Sequence, residues 1–175
     1  MTSETPLSSL DNRILNARDL LVELTQALIR VPTLNPPGLD YAAICDVLEN
    51  WLKPYGFDIK RVRAFGALGD SDKYPRWNLI ARHEGRNSGE CVHFNSHTDV
   101  VSVGEGWSVD PFEGIVKDGR VYGRGACDMK GGLAASMVAA VCFVAEHPEY
   151  SGSIEISGTC DEAVSYTHLT LPTKA

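Results

Sequence analysis

Residues 91–99 read Cys91-Val92-His93-Phe94-Asn95-Ser96-His97-Thr98-Asp99. The first five are nearly all apolar, the pattern of a central strand covered on both faces, and His97 falls just past the predicted strand end. His97 and Asp99 are two apart, so an extended backbone turns both toward one face. A carboxylate beside an imidazole can accept from one ring nitrogen while the other holds a metal, which fixes the tautomer and raises the basicity of the ring. A satisfied polar cluster at a strand end fits the same residues. His93 shares the parity of His97 but lies within the strand, where a structural role fits better.

Two further pieces carry carboxylates at comparable places. Gly125-Ala126-Cys127-Asp128-Met129-Lys130-Gly131-Gly132 is a glycine-rich turn leading into a helix. Glycine permits unusual backbone angles and close approach to a ligand. Asp128 therefore reads either as a ligand or as the cap of that helix. Gly158-Thr159-Cys160-Asp161-Glu162 follows an apolar strand. A carboxylate there can serve as the proton acceptor that a metal-bound water needs, or can be one of two solvated acids. A histidine with several carboxylates at strand ends and turns is a donor set for a hard-to-borderline divalent cation. A phosphate site is disfavoured: Gly123-Arg124-Gly125 is not followed by Gly-Lys-Ser/Thr, and no strand leads directly into a dinucleotide fingerprint.

The surrounding chain reads as alternating helices and strands. Residues 1–12 are polar and expected to be loose. Leu20, Leu21, Leu24 and Leu28 recur at helical spacing and predict a helix over 13–30. Pro32, Pro36, Pro37 and Gly38 stop it. Asp40 is a candidate N-cap for a second helix whose stripe is Tyr41, Ile44, Cys45, Leu48 and Trp51. Strands are expected at 57–62, 78–83, 91–95 and 154–157. A loop is expected over 64–76, a candidate border of the substrate entrance, and a turn over 86–89. Asp118-Gly119 between apolar pairs signals a hairpin, and a helix should run from 133 to about 146. This is an α/β pattern, a mixed sheet flanked by helices. The candidate residues fall after strands or before a helix, where open α/β sheets bind ligands.

Composition narrows the function classes. The 175 residues are 43% hydrophobic and 22% charged, ordinary for one globular domain. A net charge of −7 argues against nucleic acid as a partner, since a phosphate-binding face needs a basic excess. The five cysteines, Cys45, Cys91, Cys127, Cys142 and Cys160, have no zinc-finger or redox spacing. They read as reduced, small core residues in a reducing compartment. Residues 1–10 lack a secretory pattern and no run is read as long enough to span a bilayer. The expectation is a cytoplasmic protein with no membrane partner.

Taken together, the three pieces resemble the acetylornithine deacetylase / succinyl-diaminopimelate desuccinylase family of dinuclear zinc hydrolases, whose wider clan includes aminoacylases and glutamate-releasing carboxypeptidases. The resemblance runs from about residue 18 to residue 162. The tract 93–100 looks like the first metal motif. The tract 107–132, with Asp110-Pro111-Phe112, Tyr122-Gly123-Arg124-Gly125 and Asp128-Met129-Lys130-Gly131-Gly132, looks like the second. The resemblance implies a zinc-exopeptidase-like catalytic domain and two divalent ions, zinc or cobalt. It implies that His97 binds one ion, Asp99 holds the His97 ring, Asp128 bridges the two ions, and Glu162 is the general base. It also implies a cis Asp128–Met129 peptide, an N-acyl amino acid such as N-acetylornithine or N-succinyl-diaminopimelate as substrate, and a homodimer for the full-length protein. A dipeptidase or carboxypeptidase of the same clan is the alternative, as is a non-catalytic binding domain that has lost its metals.

The sequence departs from that pattern at Ala163, where the family has a second glutamate that is a metal ligand. The tract Val164-Ser165-Tyr166-Thr167-His168-Leu169-Thr170-Leu171-Pro172-Thr173 resembles the in-frame translation of a sequencing adapter. A glutamate codon interrupted after its first base by that adapter would encode Ala163. The expectation is therefore a truncated catalytic domain over 1–163, a foreign tail over 164–175 in which His168 is no substitute ligand, and no lid or dimerisation domain. Such a chain should bind metal weakly and turn over no substrate.

Overall fold

The computed structural model describes residues 8–163. The first two helices are α1 (Ser9–Asn16) and α2 (Arg18–Ile29). The single helix expected over 13–30 is thus broken at Ala17, and the loose segment expected up to residue 12 is helical from Ser9. Ser8 explains the early start. Its hydroxyl accepts the Asp11 N–H at 3.1 Å, and the Asp11 carboxylate accepts the Ser8 N–H at 2.9 Å, a reciprocal cap that satisfies two otherwise orphaned donors.

Helix α3 (Tyr41–Leu52) buries Tyr41, Ile44, Cys45, Leu48 and Leu52. Trp51 is only half-buried, so Leu52 takes the place expected for it. Asp40 precedes α3 in a left-handed conformation (φ 56°) and makes no side-chain cap.

The strands β1 (Asp58–Arg63), β2 (Trp77–Glu84), β3 (Asn87–His97) and β6 (Ser151–Thr159) form one sheet in the order β1-β2-β6-β3. β1 and β2 are antiparallel, as are β2 and β6, whereas β3 and β6 run parallel. The sheet is therefore mixed. Leu79, Ala81, Ile154 and Ile156 are buried in one cluster with residues of α2, α3 and α4 (Gly131–Glu146). The alternate residues Arg82, Glu84 and Glu155 form a polar ion-paired row on the opposite face.

Two expectations about β3 fail. It is an edge strand among the described residues, and the central position belongs to β6. Its segment Asn87–Phe94 is largely exposed, with Val92 55% accessible, and only Ser96 and His97 at its end are buried. The turn expected at 86–89 is shortened because β3 begins at Asn87, with an irregularity before Cys91. Apolar composition alone does not distinguish an edge from a centre, because strand order is set by pairing with a distant segment.

The hairpin formed by β4 (Ile115–Lys117) and β5 (Arg120–Tyr122) turns at Asp118 (φ 51°) and Gly119 (φ 73°), two successive positive φ values as a tight two-residue connection requires. Cys45 and Cys142 are buried as expected, but Cys91 and Cys127 are exposed and Cys160 is intermediate. Cys91 is uncovered because it lies on the edge strand, and Cys127 because it lies on the turn before α4. The stretch Ala126–Glu146 has 21 residues and a mean hydropathy of 1.5, enough by length and composition to cross a bilayer, contrary to the expectation. It is apolar because α4 buries Leu133, Ala134, Met137, Val138, Ala140, Val141 and Cys142 against the sheet and its neighbouring helices. The tail expected to be foreign, 164–175, lies outside the described residues.

Candidate metal centre

Parallel pairing of β3 with β6 sets His97 opposite Thr159. The chain beyond each strand continues on the same rim. Thr98 and Thr159 lock the two exits together: the Thr98 N–H and hydroxyl both donate to the Thr159 carbonyl, at 2.7 and 3.0 Å. Asp99 and Glu162 therefore lie near each other, although 63 residues separate them. Gly158 permits this approach, since a Cβ there would stand 2.6 Å from Leu48 Cδ1 and 3.1 Å from Thr98 Cγ2.

The turn before α4 supplies the third element. Gly125 (φ 82°) opens it, Asp128 (φ −131°, ψ 97°) and Met129 leave the helical range, and the Asp128–Met129 peptide is cis. Asp128 does not cap α4; Lys130 precedes that helix and no side-chain cap is formed. Instead, the Asp128 carboxylate faces the imidazole, with Oδ1 3.0 Å from His97 Nε2. Glu162 Oε2 is 3.4 Å from the same nitrogen. The other ring nitrogen, Nδ1, is 3.1 Å from the main-chain oxygen of Asp99 and 3.5 Å from its Oδ1. Because a carbonyl only accepts, Nδ1 carries a proton; in the charged ring Nε2 donates to the Asp128 carboxylate, and on losing that proton it offers its lone pair to a cation. The structure thus brings His97, Asp99, Asp128 and Glu162 together. His93 stands apart, with Nε2 2.7 Å from Ser157 Oγ.

Asp99 is fully buried. Burial opposes its charge, but hydrogen bonds from His97, Asn35 and the N–H groups of Ala163 and Glu162 hold its carboxyl below the ordinary carboxylate range. Burial likewise disfavours the charged His97 ring. Hydrogen bonds to Asp99 and Asp128, with the charges of Asp99 and Glu162, override it and raise the ring to about 9. A metal ion would compete with that proton for the same lone pair.

The donor set can be compared with what zinc requires. Ligand atoms about 2.0 Å from a tetrahedral zinc stand roughly 3.3 Å apart. The 3.0 and 3.4 Å separations around His97 Nε2 fall on either side of that spacing. His97 and Asp128 therefore suit one cation, with Glu162 beside it. Neither one ion nor two finds a full set of protein ligands: among the described residues no group of three His, Cys, Asp or Glu side chains is suited to holding a metal. Ala163, with only a methyl group, occupies the next position.

Sequence reasoning missed the polar network behind the centre. Asp161 (φ 65°) accepts from Arg76 Nε at 2.8 Å, from the Tyr41 hydroxyl at 3.0 Å and from Asn35 Nδ2 at 3.0 Å. Asn35 Nδ2 also reaches Asp99 Oδ2 at 3.2 Å. Arg76 is buried, and its Nη1 donates to the carbonyls of Pro37 and Tyr74. The loop expected to border an entrance thus sends Arg76 inward as a tie. Burial, with the nearby charges of Asp99 and Asp161, raises the Tyr41 hydroxyl well above the ordinary tyrosine range. Lys130 was also missed: it is fully buried, donates to the Val31 carbonyl at 2.7 Å, and is pushed down to about 7 by burial. A groove of about 520 Å³ opens beside His97, Asp128 and Glu162, and its wall is completed by Trp107 and the segment 120–127.

The geometry has counterparts among known proteins. The family model for peptidase family M20/M25/M40 matches residues 93–166. The structure is similar to human carnosine dipeptidase 1, with 23% identity, 89% of this chain and 35% of that one covered, and a TM-score of 0.74. It is similar to aminopeptidase PepT from Bacillus cereus, with 26% identity, 86% and 38% coverage, and a TM-score of 0.63. It is also similar to the YXEP protein of Bacillus subtilis, described as a dinuclear metal binding peptidase from the M20 family, with 19% identity, 82% and 35% coverage, and a TM-score of 0.54. The chain spans little more than a third of the length of these proteins. Its mixed sheet flanked by helices matches the catalytic-domain fold of M20 peptidases, and residues 93–166 carry that family's sequence match.

Proposed function

We propose that this chain is the first part of the catalytic domain of a metal-dependent hydrolase that splits the amide bond of an N-acylated amino acid, with N-acetylornithine and N-succinyl-diaminopimelate as the favoured substrates. The carrying observation is the convergence of Asp128 and Glu162 on His97 Nε2, at 3.0 and 3.4 Å, at the wall of an open groove. His97 and Asp128 would hold the cation. Bound there, a divalent ion supplies a water of lowered pKa and positive charge for a developing oxyanion. Glu162, partly exposed to the groove, takes the proton from the attacking water and returns it to the departing amine. Asp99 fixes the ring tautomer through its own main-chain oxygen and anchors the segment that bears Glu162. The products are a carboxylic acid and a free amino acid.

A dipeptidase is the second reading, favoured by the similarity to human carnosine dipeptidase 1. Both readings use the same bond and the same residues, and differ in the group on the far side of the carbonyl. The test is an assay of the full-length protein. N-acetylornithine, N-succinyl-diaminopimelate and simple dipeptides are compared with and without chelator. Chelator-sensitive release of amine from the acyl substrates is expected. Cleavage of dipeptides alone would favour the second reading, and a metal-loaded protein that cleaves none of them would overturn both. The 175-residue chain itself should be inactive, because two ligands fall short of the three that a catalytic zinc ordinarily takes from protein.

A further inference from the structure

The groove beside His97 also has basic walls. Arg120 and Arg124 line it together with Trp107 and Tyr122. Arg124 is fixed in place. Its Nη2 donates to the Val103 carbonyl at 2.9 Å, and the indole Nε1 of Trp107 donates to the same oxygen at 2.7 Å. The guanidinium carbon lies 5.5 Å from the centre of the Trp107 ring, within range of a favourable cation–π contact. The Arg124 main-chain N–H donates to Pro111 at 2.7 Å.

Arg124 is nonetheless incompletely used. Its Nε is buried without a hydrogen-bond partner, the single side-chain atom of that kind among the described residues. No carboxylate among the described residues pairs with Arg120 or Arg124. This stands out in a chain of net charge −7, in a groove that also holds Asp99, Asp128 and Glu162.

We propose that Arg124, assisted by Arg120, receives a free carboxylate of the ligand and so determines which amide-bearing molecules the groove admits. The proposal rests on the hydrolase reading above. An N-acyl amino acid and a dipeptide share one feature beyond the amide bond, a terminal carboxylate. Asp128 and Glu162 repel that anion, whereas the two guanidinium groups attract it. The ligand therefore has one favourable orientation, with its carboxylate at the arginines and the rest of the molecule free to reach the carboxylate-rich part of the groove. A planar guanidinium suits this task because its parallel N–H donors match both oxygens of a carboxylate. Its stacking on Trp107 means that little side-chain freedom is lost on binding.

The test uses the 175-residue chain in metal-free buffer, so that no cation can capture the carboxylate. N-acetyl-alanine and N-acetyl-alaninamide, which differ only in the carboxylate, are titrated while the Trp107 indole N–H and the Tyr122 and Arg124 amides are followed by NMR. The acid is expected to bind at least tenfold more tightly than the amide and to shift these three signals. Arg124→Met should abolish the preference, Arg124→Lys should retain part of it, and Arg120→Gln should weaken it. Arg120 is exposed, so its variant tests the proposal even if Arg124→Met disturbs folding. Equal binding of acid and amide, binding of neither, or a preference that survives both Arg124→Met and Arg120→Gln would overturn the proposal. The chelator-sensitive assay of the full-length protein separates the two readings. Carboxylate preference in this chain with no amide cleavage by the full-length protein removes the hydrolase reading alone, and cleavage without the preference removes this subsite alone.

Discussion

Asp99 and Glu162 are joined through the main chain: Asp99 Oδ1 accepts the Glu162 N–H at 3.1 Å, and Asp99 Oδ2 accepts the next N–H, of Ala163, at 2.8 Å. A single buried carboxylate thus stands beside the ring of His97 and also fixes the segment that carries the candidate base. Asp99→Asn would turn an amide NH₂ toward groups that are themselves donors. Hydrogen bonds to a charged group contribute roughly 1.5–3 kcal/mol each, so the variant should lose at least about 2 kcal/mol of stability in urea denaturation. Its zinc affinity should fall about tenfold or more, as expected when a ligand's supporting partner is removed. Unchanged stability would mean that Asp99 does not hold this segment.

Metal uptake should depend on pH through His97. The folded ring titrates near 9, above the ordinary 6.5. Its contribution to the stability of the metal-free protein is therefore complete below 6.5 and is lost as pH rises through 9. Metal must displace the ring proton, so apparent zinc affinity should climb by about tenfold per pH unit up to about 9. Competition with a chromophoric chelator between pH 6.5 and 8.5 measures this slope. In His97→Ala both the slope and most of the affinity should vanish. A pH-independent affinity in the unaltered chain would exclude His97 as the ligand.

Lys130 gives a slope of opposite sign. Its folded value, about 7, lies below the ordinary 10.5 because burial disfavours the charged amine. Between these values the unfolded chain holds a proton that the folded chain has released, so stability rises with pH across that window. Relative to Lys130→Met, the unaltered chain should gain on the order of a few kcal/mol from pH 7 to 10.5. Denaturation curves for the two proteins that remain parallel in pH would refute this.

Ala163→Glu tests whether the centre lacks a donor. The Ala163 N–H is already held by Asp99, so the substitution adds a carboxylate without moving the main chain. Zinc affinity should rise at least tenfold, about 1.4 kcal/mol. No gain would show that the side chain at this position does not reach the cation.

Packing behind the centre should be just as sensitive. In Gly158→Ala the new methyl meets Leu48 Cδ1 and Thr98 Cγ2 at 2.6 and 3.1 Å. Overpacking of this kind costs about 1–3 kcal/mol, measurable as a lower thermal midpoint. An unchanged midpoint would mean that β6 can shift away from α3 without cost.

What the sequence reveals about the fold follows the range of the forces involved. The hairpin at Asp118-Gly119 was legible because two adjacent residues carry its whole geometry. Helix α4 was legible from the spacing of its apolar residues, and the turn before it from its glycines. The Ser8–Asp11 cap was present in the sequence and shows how a polar opening can still start a helix. The edge position of β3 was not legible, because it depends on which strands pair with β6. Arg76 and Asp161 lie 85 residues apart, and nothing local in either segment announces their ion pair. Of the centre itself, the sequence singled out His97, Asp99, Asp128 and Glu162, and the tertiary fold shows how closely they stand.

The parallel pairing of β3 with β6 has a kinetic consequence. Its partners, such as Asn95 and Ser157, are separated by some sixty positions along the chain, and contacts of such long range form late and slowly. Helices and the hairpin can appear while the imidazole and the last carboxylate are still strangers. Capture of a cation during refolding would therefore report the final closure of the polypeptide, not its early collapse.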